Sequence, residues 1–128
     1  MSVITKLTPN FASMSRAAKQ TWIEETIATA KQAKDLLVFS KSYWPYATKG
    51  KNALNAVQVH YTLVELDECG EQRNGDVQSI LQSINGCRTV PNIITATGFV
   101  GGGDETAQLQ RSGKLRGILE AAGCSFGN

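Results

Sequence analysis

The apolar positions of the chain follow two periods, one helical and one extended, which alternate along its length. Near the N-terminus, Ile23 and Ile27 fall on one side of a helix, and Ser13 or Ser15 can supply a side-chain oxygen to cap its first turn. This stripe predicts a first helix that ends near residue 33.

Two continuous apolar runs, residues 36–39 and 60–66, are typical of strands that are covered on both faces. Between them, Pro45 lies near the first position of a basic helix, where a proline is well tolerated. After the second run, the apolar residues of the segment 77–84 recur at i, i+3, i+4 and i+7. This spacing predicts another helix, which Gly86 ends.

The last third of the chain predicts a hairpin followed by two helices. Residues 91–95 and 99–100 resemble two strands joined by a tight turn. A helix starts at Asp104, Gly113 breaks it, and a final helix carries Leu115. The element order α-β-α-β-α-β-β-α-α therefore predicts an α/β fold with a mixed sheet and helices on both faces.

Composition and charge narrow the possible functions. The 128 residues are 41% hydrophobic and 19% charged, and the net charge is +2. This balance favours a globular domain, and the net charge is too small to indicate a nucleic-acid or membrane partner, so we expect neither. No apolar run approaches the roughly 20 residues of a membrane helix. The three cysteines have no metal-ligand spacing, so we expect no metal site: Cys69, Cys87 and Cys124.

Four segments resemble, in order, the motifs of the glutaredoxin family. Residues 40–47, Ser-Lys-Ser-Tyr-Trp-Pro-Tyr-Ala, are similar to the family's Ser-Lys-x-Tyr-Cys-Pro-Tyr-Cys segment. Thr89-Val90-Pro91 matches a Thr-Val-Pro motif whose proline is cis in the family. Residues 101–105 are similar to its Gly-Gly-x-Asp-Asp segment, and residues 112–115 match its Ser-Gly-Lys-Leu.

The resemblance implies a thioredoxin-like (glutaredoxin) fold with a four-stranded mixed sheet and helices on both faces. It covers residues 36 to the end of the chain. We therefore expect an N-terminal arm at 1–13, which shows no clear period, and a glutaredoxin-like domain at 14–128.

In the family, a thiolate at the N-terminus of a helix attacks a glutathione mixed disulfide, and a second cysteine resolves protein disulfides. By resemblance these two positions are Trp44 and Ala47 in this chain. An indole cannot act as the nucleophile and alanine has no thiol. We therefore expect no catalytic thiol and no thiol exchange. Tryptophan at position 44 also removes the cysteine that some family members supply to an iron–sulfur cluster.

The resemblance also implies a cradle for glutathione. Lys41 and Gln78 would bind the glycine carboxylate, and the backbone of Val90 would pair with the peptide's cysteine unit. Gly103 and Asp104 would hold the γ-glutamyl end at a helix N-terminus. The full set of expected binding residues is Lys41, Tyr46, Gln78, Thr89, Val90, Pro91, Gly103 and Asp104. Each of them also has an ordinary structural explanation, such as a helix cap for Asp104.

Three functional interpretations remain open. The chain could be a glutaredoxin-like protein without thiol chemistry, retained to bind glutathione or a protein partner. It could be an active disulfide reductase or deglutathionylating enzyme whose two cysteines were replaced by engineering. It could also be a non-enzymatic protein-interaction module. Cys87 lies close before the Thr-Val-Pro motif, but the sequence places it at no helix N-terminus.

The expected ligand is glutathione or a glutathionylated protein, and the expected assembly is a monomer. We expect a cytoplasmic location. The N-terminal segment, which has no acidic residue before Glu24, leaves a mitochondrial location as the alternative.

Overall fold

A computed structural model describes residues 1–127 of the chain. Within that range it contains five strands, five α-helices and two short 3-10 helices, Phe11–Ser13 and Leu66–Cys69. The strands are β1 (Ile4–Lys6), β2 (Leu36–Ser40), β3 (Tyr61–Glu65), β4 (Asn92–Thr95) and β5 (Gly98–Gly101). The helices are α1 (Arg16–Ala33), α2 (Pro45–Ala56), α3 (Asp76–Asn85), α4 (Gly103–Arg111) and α5 (Leu115–Ala121).

The helix ends follow from local chemistry that the sequence displays. Ser15 caps α1 by accepting a hydrogen bond from the backbone N–H of Ala18, at 3.1 Å. Pro45 occupies the first turn of α2. Gly86 ends α3 with a φ of 81°, a left-handed conformation that glycine adopts at little cost. These three predictions of helix boundaries are confirmed.

The strands form one mixed sheet in the order β1-β3-β2-β4-β5. β3 runs parallel to both β1 and β2, whereas β4 is antiparallel to β2 and β5 is antiparallel to β4. In the turn between β4 and β5, Thr95 Oγ1 donates to the carbonyl of Gly98 at 3.0 Å, and Gly98 has a φ of 137°. The hairpin therefore uses glycine where the backbone requires a positive φ.

The predicted strand count of four is wrong by one, because the N-terminal segment contributes the edge strand β1. The backbone of Val3 accepts from Tyr61, and Leu7 donates to Leu63, at 3.1 and 3.0 Å. A three-residue strand that is exposed throughout has no apolar alternation, so the sequence gives no signal for it. Further along the same segment, Phe11 is buried and contacts the ring of Trp22 edge-on, with the two ring centroids 5.4 Å apart.

Helices cover both faces of the sheet, as predicted, and each face has its own apolar cluster. On one face, α1 and α3 pack against Leu37 and Phe39 of β2. On the other, α2 and α5 pack against Leu36 and Val38 of the same strand. The alternating side chains of β2 thus enter two cores. The strand ends at Ser40, and the chain then crosses to the N-terminus of α2, where the candidate site lies.

Candidate functional site

The loop after β2 places residue 44 at the N-terminus of α2. Trp44 is the N-cap residue of this helix, its backbone N–H donates to the carbonyl of Lys41 at 3.1 Å, and its own carbonyl accepts from Thr48 at 3.1 Å. The N-cap has no side-chain hydrogen bond to the helix. The free N–H groups of this turn and the positive end of the helix dipole therefore surround position 44.

The carboxylate of Asp67, two residues after the end of β3, holds this loop in place. The backbone N–H of Ser42 donates to Asp67 Oδ1 at 2.9 Å, and the Ser42 hydroxyl donates to Asp67 Oδ2. Partial burial tends to raise the pKa of Asp67. The two hydrogen bonds from Ser42 outweigh this effect and hold the pKa below its ordinary value of 3.8. Asp67 is thus a positioning residue that the sequence did not reveal.

Residues 44 and 47, the two positions where the resemblance places thiols, differ sharply in exposure. The Trp44 side chain is 40% exposed and contacts Tyr46, which is 48% exposed, with ring centroids 5.6 Å apart. Ala47 is completely buried on the inner side of α2. Residue 44 therefore faces the surface where a ligand would approach, and residue 47 does not.

The Thr-Val-Pro segment forms the wall opposite the start of α2. Its Val90–Pro91 peptide bond is cis, as the resemblance implied. Pro91 packs against α2 at Gly50, where an added Cβ would meet the proline ring at 2.9 Å. The side chain of Gln78 on α3 donates to the carbonyl of Arg88 at 3.0 Å and so supports the loop that carries the segment.

The start of α4 forms the third wall, and it lies very close to α2. A Cβ at Gly103 would stand 2.1 Å from the carbonyl oxygen of Tyr46. This close approach requires glycine for packing reasons alone. Beside it, Asp104 Oδ1 accepts a hydrogen bond from Lys49 Nζ at 2.8 Å, and both side chains are exposed.

Two clefts meet at Trp44, and Thr89 and Val90 line both of them. The first, here called the basic cleft, has a volume of about 280 Å³. Its lining residues are Lys41, Tyr43, Trp44, Arg73, Asn74, Gln78, Arg88, Thr89 and Val90. The second, here called the acidic cleft, has a volume of about 290 Å³. Its lining residues are Trp44, Tyr46, Cys87, Thr89, Val90, Phe99, Gly102, Gly103, Asp104 and Glu105.

The structure brings most of the residues singled out from the sequence to this surface. Lys41 and Gln78 line the basic cleft, whereas Tyr46, Gly103 and Asp104 line the acidic one. The two clefts share Thr89 and Val90. Pro91 and Ala47 are buried behind the walls and line neither cleft.

Sequence reasoning did not single out several lining residues, among them two arginines. Arg88 directly precedes the Thr-Val-Pro segment, and this position could have drawn attention to it. Arg73 lies in the loop before α3, a segment with no motif or period. Its place in the basic cleft follows from the fold alone.

Comparison with known proteins identifies the architecture around these clefts. A family model described as Glutaredoxin matches residues 36–100, about half of the chain. The chain belongs to the glutaredoxin family. The match begins at β2 and ends within β5, so it includes position 44 and the Thr-Val-Pro segment.

Individual relatives agree with this assignment. The chain is 33% identical over 110 residues to a chloroplastic monothiol glutaredoxin-S12 of Arabidopsis thaliana, in an alignment that covers 86% of this chain but 61% of that longer protein. The crystal structure of oxidized glutaredoxin 2 from Chlamydomonas reinhardtii is 37% identical, has a TM-score of 0.69, and matches over 86% of this chain and 98% of that one. A buckwheat glutaredoxin–glutathione complex is 31% identical, with a TM-score of 0.62, over 80% of this chain and 94% of that one.

The three thiols of this family member lie away from position 44 or on its rim. All three are free. Burial raises the pKa of Cys69, and the neighbouring acids Glu68 and Asp67 raise it further. Burial likewise raises the pKa of Cys124. Cys87 lines the acidic cleft, with its Sγ 3.5 Å from the carbonyl of Thr89.

Among residues 1–127, no three His, Cys, Asp or Glu side chains are grouped as they would be to hold a metal ion. No helix within the described part of the chain is long and apolar enough to cross a membrane.

Proposed function

We propose that this protein is a glutaredoxin family member that has no glutathione-dependent thiol exchange but keeps a cradle for glutathione. One observation carries the proposal: the side chain at the exposed N-terminus of α2 is the indole of Trp44, while clefts remain open on both sides of it. The lack of exchange and the binding of the ligand thus depend on different residues and can be tested separately.

The lack of exchange follows from what position 44 can do chemically. In thiol exchange, a thiolate attacks a sulfur of a disulfide and expels the other sulfur as a thiolate. The N-terminus of α2 offers the unpaired N–H groups and the dipole that stabilise such an anion. Trp44 places no ionisable sulfur there, and Ala47 could not resolve a mixed disulfide.

The remaining cysteines are poor substitutes for that thiol. Cys69 and Cys124 have raised pKa values, so a smaller fraction of each is thiolate near neutral pH. Cys87 is nearer to the site, but it lies in the loop between α3 and β4 and not at a helix N-terminus. The helix N-terminus that would activate a thiol is therefore at residue 44, where this chain has a tryptophan.

The arrangement of the two clefts supports an extended ligand such as glutathione. Its carboxylate end would lie near Lys41 and Gln78, and its γ-glutamyl end near Gly103 and Asp104. Between these ends, the backbone of Val90, shared by both clefts, is placed to pair with the middle of the peptide. The relative solved with glutathione shows that a protein of this fold binds the tripeptide.

Two features of the site would work against this ligand. Trp44 lies where the peptide would pass from one cleft to the other, so its indole must turn aside or stack against the ligand. Lys49 already neutralises the carboxylate of Asp104. This exposed pair is worth little, so the ammonium group of a ligand can replace Lys49 at low cost.

An exposed aromatic surface favours a second candidate, a protein-interaction module. The side chains of Tyr43, Trp44, Tyr46 and Phe99 are all at least 40% exposed. Exposed tryptophan and tyrosine beside arginine are typical of the residues that dominate binding energy at protein interfaces. On this proposal the partner would be a protein, glutathionylated or not, and this chain would act as a monomer. A cytoplasmic location remains a prediction.

A titration with reduced glutathione tests the ligand. We expect amide chemical shift changes that cluster on Lys41, Gln78, Val90 and Asp104, with a change in tryptophan fluorescence. No change at millimolar glutathione would contradict the cradle and leave the interaction module as the better proposal. As a control, ophthalmic acid, the analogue with a methyl group in place of the thiol, should give the same pattern because no thiol chemistry is involved.

A further inference from the structure

The basic cleft has more positive charge than glutathione needs. Three cationic side chains line it, Lys41, Arg73 and Arg88, and its lining residues include no Asp or Glu. Within residues 1–127, none of these three side chains forms an ion pair. Like charges around one cleft repel each other, so binding an anion there relieves that repulsion.

This cluster of free cations is not typical of the surface around it. On the neighbouring helix α2, Lys49 and Lys51 lie 2.8 and 3.0 Å from the carboxylates of Asp104 and Glu65. On α1, Lys19 lies 2.6 Å from Glu71. The basic cleft is thus a place where the fold brings cations together and leaves them without their own acids.

The three cations approach from different elements, so together they surround the cleft. Lys41 follows β2, Arg73 precedes α3, and Arg88 precedes β4. The Arg88 loop is anchored by the hydrogen bond from Gln78 to its carbonyl. Tyr43 and Trp44 complete the wall with aromatic surface.

A single terminal carboxylate would satisfy one of these charges, with Lys41 and Gln78 as its proposed partners. It would leave the two guanidinium groups, each of which can bind a carboxylate through two parallel hydrogen bonds. A ligand with a second carboxylate next to the first therefore matches the cleft better than glutathione does.

We propose that the basic cleft selects γ-glutamyl-cysteinyl peptides whose third residue carries an acidic side chain, and that Arg73 determines this selectivity. The inference rests on the proposed glutathione-like binding mode, in which the third residue of the peptide lies in this cleft. The proposal adds a class of ligand, acidic tripeptides, and a specificity residue, Arg73, which lies outside the motifs shared with the family.

The test compares two tripeptides, glutathione and γ-Glu-Cys-Glu, by calorimetric titration at low ionic strength. We expect the acidic tripeptide to bind about three- to tenfold more tightly, as for one additional exposed charge pair or hydrogen-bonded carboxylate. Arg73→Gln should reduce this ratio to near one, and it should weaken the binding of glutathione by a smaller factor, because glutathione places only one carboxylate in the cleft. Arg111→Gln is the matched control, because it removes the same charge from an exposed site on α4 and should keep the ratio.

Each other outcome has a definite meaning. Equal binding of the two tripeptides to the unaltered protein, or a preference that survives Arg73→Gln, would overturn the inference and leave the glutathione cradle intact. A preference that Arg111→Gln also abolishes would show that net charge, and not Arg73, produces it. Binding of γ-Glu-Cys-Glu without measurable binding of glutathione would uphold the cleft's selectivity while contradicting glutathione as the ligand. If neither tripeptide binds, both proposals fail.

Discussion

The ammonium group of Lys49 on α2 lies 2.8 Å from the carboxylate of Asp104 on α4, at the acidic cleft. Asp104 is the residue expected to meet the ammonium group of the γ-glutamyl unit. The protein therefore holds an internal cation close to the place where the ligand's own cation is expected. Since both side chains are well exposed, this pair contributes little to folding.

Asp104→Asn tests that role. We expect glutathione to bind about three- to tenfold more weakly, because an amide cannot balance the charge of the ligand's ammonium group. The free energy of unfolding should change by less than about 1 kcal/mol. Glu120→Gln serves as the control, since Glu120 forms a similarly exposed pair with Arg116 away from both clefts. A loss of affinity in both variants would point to a general charge effect.

Gly103→Ala tests the contact between α4 and α2. The added Cβ would lie 2.1 Å from the carbonyl oxygen of Tyr46, so one helix must move. We expect a loss of about 1–3 kcal/mol in the free energy of unfolding by urea. Gly117→Ala on α5 is the matched control, because its Cβ would meet nothing and alanine favours helix by up to about 1 kcal/mol. Equal effects of the two substitutions would contradict the close approach.

Glu71→Gln tests a charge pair between α1 and the loop that carries Arg73. Glu71 lies 2.6 Å from Lys19, both side chains are at most 10% exposed, and its second oxygen accepts from the backbone of Val77 at 2.7 Å. The glutamine would remove the charge of the nearest partner of Lys19 and leave only Asp76, whose Oδ2 lies 3.7 Å from Lys19 Nζ. We expect a loss of about 2 kcal/mol in stability, as for a buried hydrogen bond to a charged group.

The exposed pair between Lys6 and Glu68 provides the comparison for that prediction. Glu68→Gln should cost less than about 1 kcal/mol in the same urea experiment. If Glu71→Gln costs no more than Glu68→Gln, burial does not strengthen the Lys19–Glu71 pair in the way described.

Acid should release the loop before α2 through Asp67. Its pKa is below the ordinary 3.8 in the folded protein, so the ionised form adds stability above that pH. This contribution disappears as the pH falls through the lower folded-state pKa. The stability difference between the unaltered protein and Asp67→Asn, no more than about 1 kcal/mol at such an exposed site, should therefore vanish in the acid range below 3.8, once the pH has fallen through the folded-state pKa. A difference that persists there would exclude this linkage.

Much of the fold was predictable because its long helices and buried strands have strong periods. The stripe at Ile23 and Ile27, the apolar run of β2, and the spacing of α3 all led to the correct elements. β1 was not predictable, because three exposed residues contribute backbone hydrogen bonds and no apolar pattern. Its place in the sheet depends on β3, which lies more than 50 residues further along the chain.

The site was predictable as far as its motifs extend. Lys41 and Asp104 were singled out because their segments match a family pattern, and the fold brings each to a cleft beside Trp44. Partners such as Lys49 and Arg73 were missed because only the three-dimensional fold determines which side chains meet. Their positions depend on how α2 and the loop before α3 pack, and no local sequence pattern encodes that packing.

The most direct test of the account is an exchange assay with glutathione and a low-molecular-weight disulfide, performed on the unaltered protein and on Trp44→Cys. We predict no turnover for the unaltered protein and the appearance of glutathione-dependent turnover in the variant. The new thiol would lie at the N-terminus of α2, where a thiolate is stabilised, between the two clefts that we propose accept the peptide. Turnover by the unaltered protein that survives Cys87→Ser, or a Trp44→Cys variant that remains inactive although folded, would contradict the account.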